Sequence, residues 1–229
     1  LFFSIGMARP QLGAILKEKE IKGAEIMIVL DVSNSMLAED YSPNRLERAK
    51  LAISKLVDEL QGDRIGLIIF AGQSFVQLPI TSDYVSAKIF LNSITNESVP
   101  VQGTALGEAI HTALRSFTSE SENSRAVILI TDGENHEDDP VSAAKDALSV
   151  GARVFCVGVG SFEGKPIPMN GELLKDQDGN IVVTKLDEAT LREVAKAGDG
   201  IYVRAANAEF GLNPIIDEIR AMIDSFKED

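Results

Sequence analysis

Hydrophobic positions along this chain fall into two alternating rhythms. Short apolar runs of strand length occupy residues 24–30, 65–70, 126–130 and 152–158, with a briefer one at 75–80 after a turn at Gly72. The run at 126–130 has no polar interruption, the mark of a strand buried on both faces of a parallel sheet. Between the runs the period changes to that of a helix. Leu46, Ala49, Ile53, Leu56, Val57 and Leu60 recur at helical spacing, while Glu47, Arg48, Lys50, Lys55 and Asp58 fall on the opposite face. That pattern predicts a surface helix packed on a sheet, opened by Ser42-Pro43-Asn44 with Pro in its first turn and broken by Gly62-Asp63.

The same punctuation recurs downstream. Thr81-Ser82-Asp83 caps a helix carrying Val85, Ile89, Phe90 and Ile94. A loop, residues 99–104, leads into a helix whose apolar face is Ala105, Leu106, Ala109, Ile110, Ala113, Leu114 and Phe117, with Thr104 at its mouth. Helices are further expected over 140–150, from a cap at Asp187 to Ala197, and over 214–226, with a last short strand at 200–204. Residues 164–184 differ in texture: Pro166, Pro168, Gly171 and Asp178-Gly179-Asn180 predict a polar insertion ending in a hairpin. Strands alternating with helices argue for an α/β fold, a mainly parallel central sheet with helices on both faces. One domain is expected over 21–229, preceded by an N-terminal arm over 1–20.

Composition narrows the function. The 229 residues, 45% hydrophobic and 25% charged, suffice for one well-filled domain. A net charge of −13, from 22 Lys and Arg against 35 Asp and Glu, with no basic stretch interleaved with aromatics, argues against nucleic-acid binding. The lone Cys156, flanked by Val154, Phe155 and Val157, is expected in a buried strand and has no partner for an intramolecular disulfide. Residues 1–8 are apolar but far short of the about 20 needed to span a bilayer. Followed by Arg9-Pro10, they read either as the trailing stub of a transmembrane helix or as an arm packed on the domain. The segment lacks the charged n-region and cleavage site of a signal peptide.

Candidate chemistry sits where strands end. After the first run come Asp31, Ser33 and Ser35, whose alternating spacing sends a carboxylate and two hydroxyls to one side of the backbone. Such a cluster suits a hard divalent cation; Mg2+ takes oxygen ligands at about 2.0–2.1 Å and retains several waters. Thr104 opens a helix and Asp132 closes the run at 126–130, so both fall on the same carboxyl edge, where parallel sheets bind ligands.

Asp31-x-Ser33-x-Ser35, then Thr104, then Thr131-Asp132-Gly133 resembles the metal-ion-dependent adhesion site of von Willebrand factor A domains, whose fold is Rossmann-like. The resemblance implies that Ser33, Ser35 and Thr104 ligate Mg2+, with Mn2+ or Ca2+ as alternatives, while Asp31 and Asp132 act chiefly through bound waters. It further implies a partner protein whose Asp or Glu completes the coordination. Ala8-Arg9-Pro10-Gln11, the segment 30–38, Asn44-Arg45-Leu46-Glu47-Arg48-Ala49-Lys50 and the segment 131–137 are similar to the bacterial Bat aerotolerance proteins, of BatA/BatB type. That likeness implies anchoring in the inner, cytoplasmic membrane with the domain facing the periplasm. It also implies association with other Bat proteins, tetratricopeptide-repeat proteins and a MoxR-type ATPase.

Rival readings fit less well. A phosphotransferase of the haloacid-dehalogenase type would use Asp31 as nucleophile, but needs a second Asp as general acid where Ser33 stands. Gly158-Val159-Gly160 lacks the third glycine of a dinucleotide fingerprint, and Asp176-Gln177-Asp178-Gly179-Asn180 departs from an EF-hand loop in its glycine position. His111 is expected to be structural and His136 to lie in a solvated acidic loop. A non-enzymatic, metal-dependent binding domain is therefore the expectation, with a metal-independent interaction module as the alternative.

Overall fold

The structure, a computed structural model, describes residues 23–60, 62–119, 123–135, 137–205 and 212–228. The N-terminal arm over 1–20 and His136 lie outside the described residues. Six strands build the central sheet: β1 (Ala24–Asp31), β2 (Arg64–Phe70), β3 (Ser74–Thr81), β4 (Ser124–Thr131), β5 (Ala152–Gly158) and β10 (Tyr202–Arg204). Their order is β10-β5-β4-β1-β2-β3. Every neighbouring pair is parallel except β2 with β3. This is the mainly parallel sheet that the apolar runs predict.

Six helices cover it: α1 (Arg45–Glu59), α2 (Tyr84–Ser93), α3 (Leu106–Ser116), α4 (Pro140–Ser149), α5 (Glu188–Ala197) and α6 (Asn213–Glu228). Because successive side chains of a strand point to opposite faces, β1 feeds two cores at once. Ile26, Ile28 and Leu30 meet Ile53 and Leu56 of α1, Leu91 of α2 and Ile219 of α6. Met27 and Val29 meet Ile110 of α3, Ala144 of α4 and Leu191 of α5 on the other side. Each such Ile or Leu, buried in one core or the other, contributes about 1.5–3 kcal/mol by leaving water.

Three local expectations need correction. Pro43 lies ahead of α1 and not in its first turn, because Asn44 is the cap, its side chain accepting the Glu47 N–H at 2.9 Å. Lys50 is buried despite its place on the polar face of α1. Its Nζ donates to the carbonyls of Asn92 and Ile94 at 3.3 and 2.9 Å, closing the carboxyl end of α2, where the helix dipole favours a cation. On α2 the buried stripe is Ala87, Leu91 and Ile94, whereas Val85, Ile89 and Phe90 face outward at 71%, 64% and 42% exposure. The helical period allows two stripes there, and packing against α1 and β2 selects the one with the smaller residue.

The insertion contains four two-residue strands: β6 (Lys165–Pro166), β7 (Pro168–Met169), β8 (Glu172–Leu173) and β9 (Val183–Thr184). β6 pairs with β9, and β7 with β8 through a turn at Asn170-Gly171, both at positive φ. Asn-Gly is the strongest short hairpin signal, so this turn was also legible. The expected turn at 178–180 is present too, with Asp176 Oδ1 accepting the N–H groups of Asp178 and Asn180 at 2.9 and 2.8 Å. Among the described residues, no helix is long and apolar enough to cross a membrane.

Candidate metal centre

From β1 the chain steps outward through β2 to β3; from β4 it steps the other way through β5 to β10. The order therefore reverses between β1 and β4, which lie side by side with Leu30 opposite Ile130. At such a reversal the connections leave in opposite directions and open a crevice beyond the carboxyl ends of the strands. Asp31 is the last residue of β1, Thr131 the last of β4, and Asp132 follows at once. The candidate residues Asp31, Ser33, Ser35, Thr104 and Asp132 are all buried.

Hydrogen bonds fix the cluster. Asp31 Oδ1 accepts the Ser33 N–H at 2.8 Å, and its Oδ2 accepts the Thr131 hydroxyl at 2.6 Å. A 3-10 turn over Asn34–Leu37 then brings the Ser33 and Ser35 hydroxyl oxygens to 2.9 Å of one another. The loop before α3 is laid against this turn: Gly72 N–H donates to Val101 O, Ala105 N–H to Ala71 O, and Asn34 N–H to Gln102 Oε1 at 3.0 Å. Thr104 sits inside that braced loop. Gly133, at φ 81°, lets the chain turn after Asp132 where a Cβ would stand 2.6 Å from the Asp187 carbonyl.

Sequence reading missed the cation behind these acids. Arg45, the first residue of α1, is fully buried and its Nη1 donates to Asp132 Oδ2 at 2.8 Å. Its Nε and Nη2 form a fork on the two oxygens of Asp40, both at 2.8 Å. Thr184, at the end of β9, lies with its Oγ1 3.0 Å from both Arg45 Nη1 and Asp132 Oδ2. A signal existed: a cation in the first turn of a helix opposes the dipole and needs another reason to be there.

The electrostatics of the two acids differ in degree. Burial, reinforced by the nearby charge of Asp132, pushes the Asp31 carboxyl up to about 7. Burial also raises Asp132, but Arg45 and hydrogen bonds from Ser35 and Thr184 oppose that rise. Burial alone would raise Asp40, yet its hydrogen bonds to Arg45 and the guanidinium charge hold it below its ordinary value. Among the described residues no Lys or Arg pairs with Asp31, and no three His, Cys, Asp or Glu side chains cluster as a metal site. The donor set at this edge is hydroxyl and carboxylate oxygen, which fits a hard cation such as Mg2+, Mn2+ or Ca2+ and does not fit a soft one.

Other candidates serve structure. His111 Nε2 lies 3.2 Å from Asp146 Oδ2 on the surface between α3 and α4. Cys156 is buried in β5, where desolvation drives its thiol far above the ordinary range.

Comparison with known proteins agrees with this geometry. Residues 26–134 match the von Willebrand factor type A domain. An aerotolerance-related membrane protein from Bacteroides fragilis NCTC 9343, solved with multiple mutations to serines, is 52% identical with a TM-score of 0.84, over 87% of this chain and 100% of that one. The conserved hypothetical protein BatB from Bacteroides thetaiotaomicron is 51% identical with a TM-score of 0.84, over 89% of this chain and 100% of that one. A curated relative, a UPF0353 protein of Nocardia farcinica, is 31% identical over 90% of this chain and 62% of its own length. The chain belongs to the von Willebrand factor type A family, and within it to the group of the BatB aerotolerance-related proteins. It spans less than two thirds of the length of that curated relative.

Proposed function

We propose that this domain is a metal-dependent protein-binding module of a membrane-anchored Bat-type protein. Ser33, Ser35 and Thr104 would hold Mg2+, or Mn2+ or Ca2+ in its place, through neutral hydroxyls, with Asp31 and Asp132 supplying negative charge behind them. When bound, the cation supplies a Lewis-acidic position for an Asp or Glu carboxylate of a partner protein. Neutral direct ligands leave much of the positive charge on the metal, so an acidic domain can attract an acidic side chain. The observation that carries this reading is Asp31: a fully buried carboxylate at the switch point, beside paired hydroxyls, with no Lys or Arg among the described residues to balance it. In the full-length protein the domain would lie over 21–229, tethered through membrane helices and facing the periplasm. Its partners would be other Bat proteins, tetratricopeptide-repeat proteins or a MoxR-type ATPase.

Isothermal titration of the purified domain with Mg2+ and Mn2+ tests the first step. Saturable one-site binding that disappears in Asp31→Ala is expected. Heat that stays at the dilution baseline up to millimolar metal in a folded wild-type domain would overturn the metal reading.

A further inference from the structure

We propose that Arg45 is a positioning residue for the cation site: shared between Asp40 and Asp132, it offsets part of the charge of Asp132 and holds that carboxylate back, so that the site carries less unbalanced negative charge than its acids alone would give. The inference rests on the metal reading above. Its grounds are geometric. The fork to Asp40 fixes the plane of the guanidinium, and that plane delivers Nη1 to Asp132 Oδ2 at 2.8 Å. The same oxygen also accepts the Thr184 hydroxyl at 3.0 Å, and Asp132 Oδ1 accepts the Glu134 N–H at 3.2 Å. Both oxygens of Asp132 thus have protein donors, beside the Ser33 and Ser35 hydroxyls 2.9 Å apart.

Room for this cation is built into the fold. Gly160, at φ 144°, packs its backbone on the guanidinium, where a Cβ would stand 3.0 Å from Arg45 Cζ. The Ser161 N–H donates to Asp40 Oδ2 at 2.8 Å, so the chain just ahead of the insertion braces one end of the clamp and Thr184, its last residue, braces the other. Buried arginine costs desolvation that only full pairing offsets, and here all three guanidinium nitrogens are paired with side-chain oxygens. The consequence is a site that binds the bare cation weakly and leaves it electrophilic, so that an anionic ligand is favoured as the completing group. It also ties the insertion, through Thr184, to the charge that the cation meets.

Mn2+ alone is the probe, with free metal followed by electron paramagnetic resonance and folding checked by circular dichroism. Arg45→Met should bind Mn2+ tighter by about tenfold or more, and Arg45→Lys, which keeps the charge, should stay near wild type. Asp132→Asn should weaken binding by removing a negative charge while Arg45 remains, and Arg45→Met with Asp132→Asn should recover most of that loss. A merely structural arginine would give losses in Met and Lys variants alike and no recovery in the double variant. Should Arg45→Met not fold, Asp40→Asn keeps the test open: it leaves Arg45 committed to Asp132 and should weaken Mn2+ binding, and unchanged affinity would overturn the proposal. A folded Arg45→Met variant with affinity within about twofold of wild type overturns the role of Arg45 alone. Wild-type protein that binds no Mn2+ overturns the metal reading and this inference together.

Discussion

The two edges of the central sheet both carry buried acids, but they balance them differently. At the amino edge Glu25 is matched by Arg64 at 2.8 Å and accepts the Thr118 N–H at 3.1 Å. Asp63 there is matched by Arg220 at 2.8 Å and accepts the Ala24 N–H at 2.9 Å. Each acid has its own arginine, and each arginine reaches in from a partly solvated position. At the carboxyl edge the buried guanidinium of Arg45 is shared between Asp40 and Asp132, and Asp31 is left to hydroxyl and amide donors. One-to-one pairing fastens loops to strand ends. The carboxyl edge holds more buried carboxylates than guanidinium groups, the surplus that the proposed cation would balance.

The largest expected effect is therefore at Asp31. Its folded-state value, near 7, lies above the 3.8 of the unfolded chain, so the folded state binds the extra proton between these limits. Stability of the metal-free protein should fall as pH rises from about 4 to about 7, and Asp31→Asn should lessen that decline, leaving the smaller part due to Asp132, which burial also raises. At pH 8 without metal the Asn variant should be more stable by about 3 kcal/mol in urea unfolding, and saturating Mg2+ should narrow the gap by stabilising only the wild type. A wild type no less stable than Asp31→Asn at pH 8 would show that this edge is balanced like the other.

The amino edge should behave in the opposite way. Asp63→Ala should cost about 2 kcal/mol, less than a fully buried pair because Arg220 is one-third exposed, while Mg2+ affinity stays unchanged in calorimetry. Glu25→Gln should cost about 1 kcal/mol, since Arg64 is more exposed still and the amide oxygen can accept the Thr118 N–H. A metal-affinity change in either variant would erase the distinction between the edges.

The fold and the place of Asp31 and Asp132 were legible for the same reason: uninterrupted apolar runs locate strand ends, and strand ends locate the crevice. What the chain hid was charge pointing inward. Arg45 and Lys50 sit on an amphipathic helix whose period assigns them to solvent, and only the tertiary contacts with Asp132 and the end of α2 draw them in. The α2 stripe failed for a related reason, since Val85, Ile89 and Phe90 outweigh Ala87 and Leu91 in bulk but not in position.

β1 and β4 are the innermost pair of the sheet, flanked on both sides by hydrogen-bonded strands, whereas β10 is a three-residue edge. Amides in such a central pair exchange with solvent only when the whole domain opens, while edge segments exchange through local fraying. A ligand held at Asp31 and Asp132 would thus be released only by global unfolding or by movement of the loops. Its binding free energy would register as slowed deuterium uptake in β1 and β4, together with the other amides that exchange through global opening.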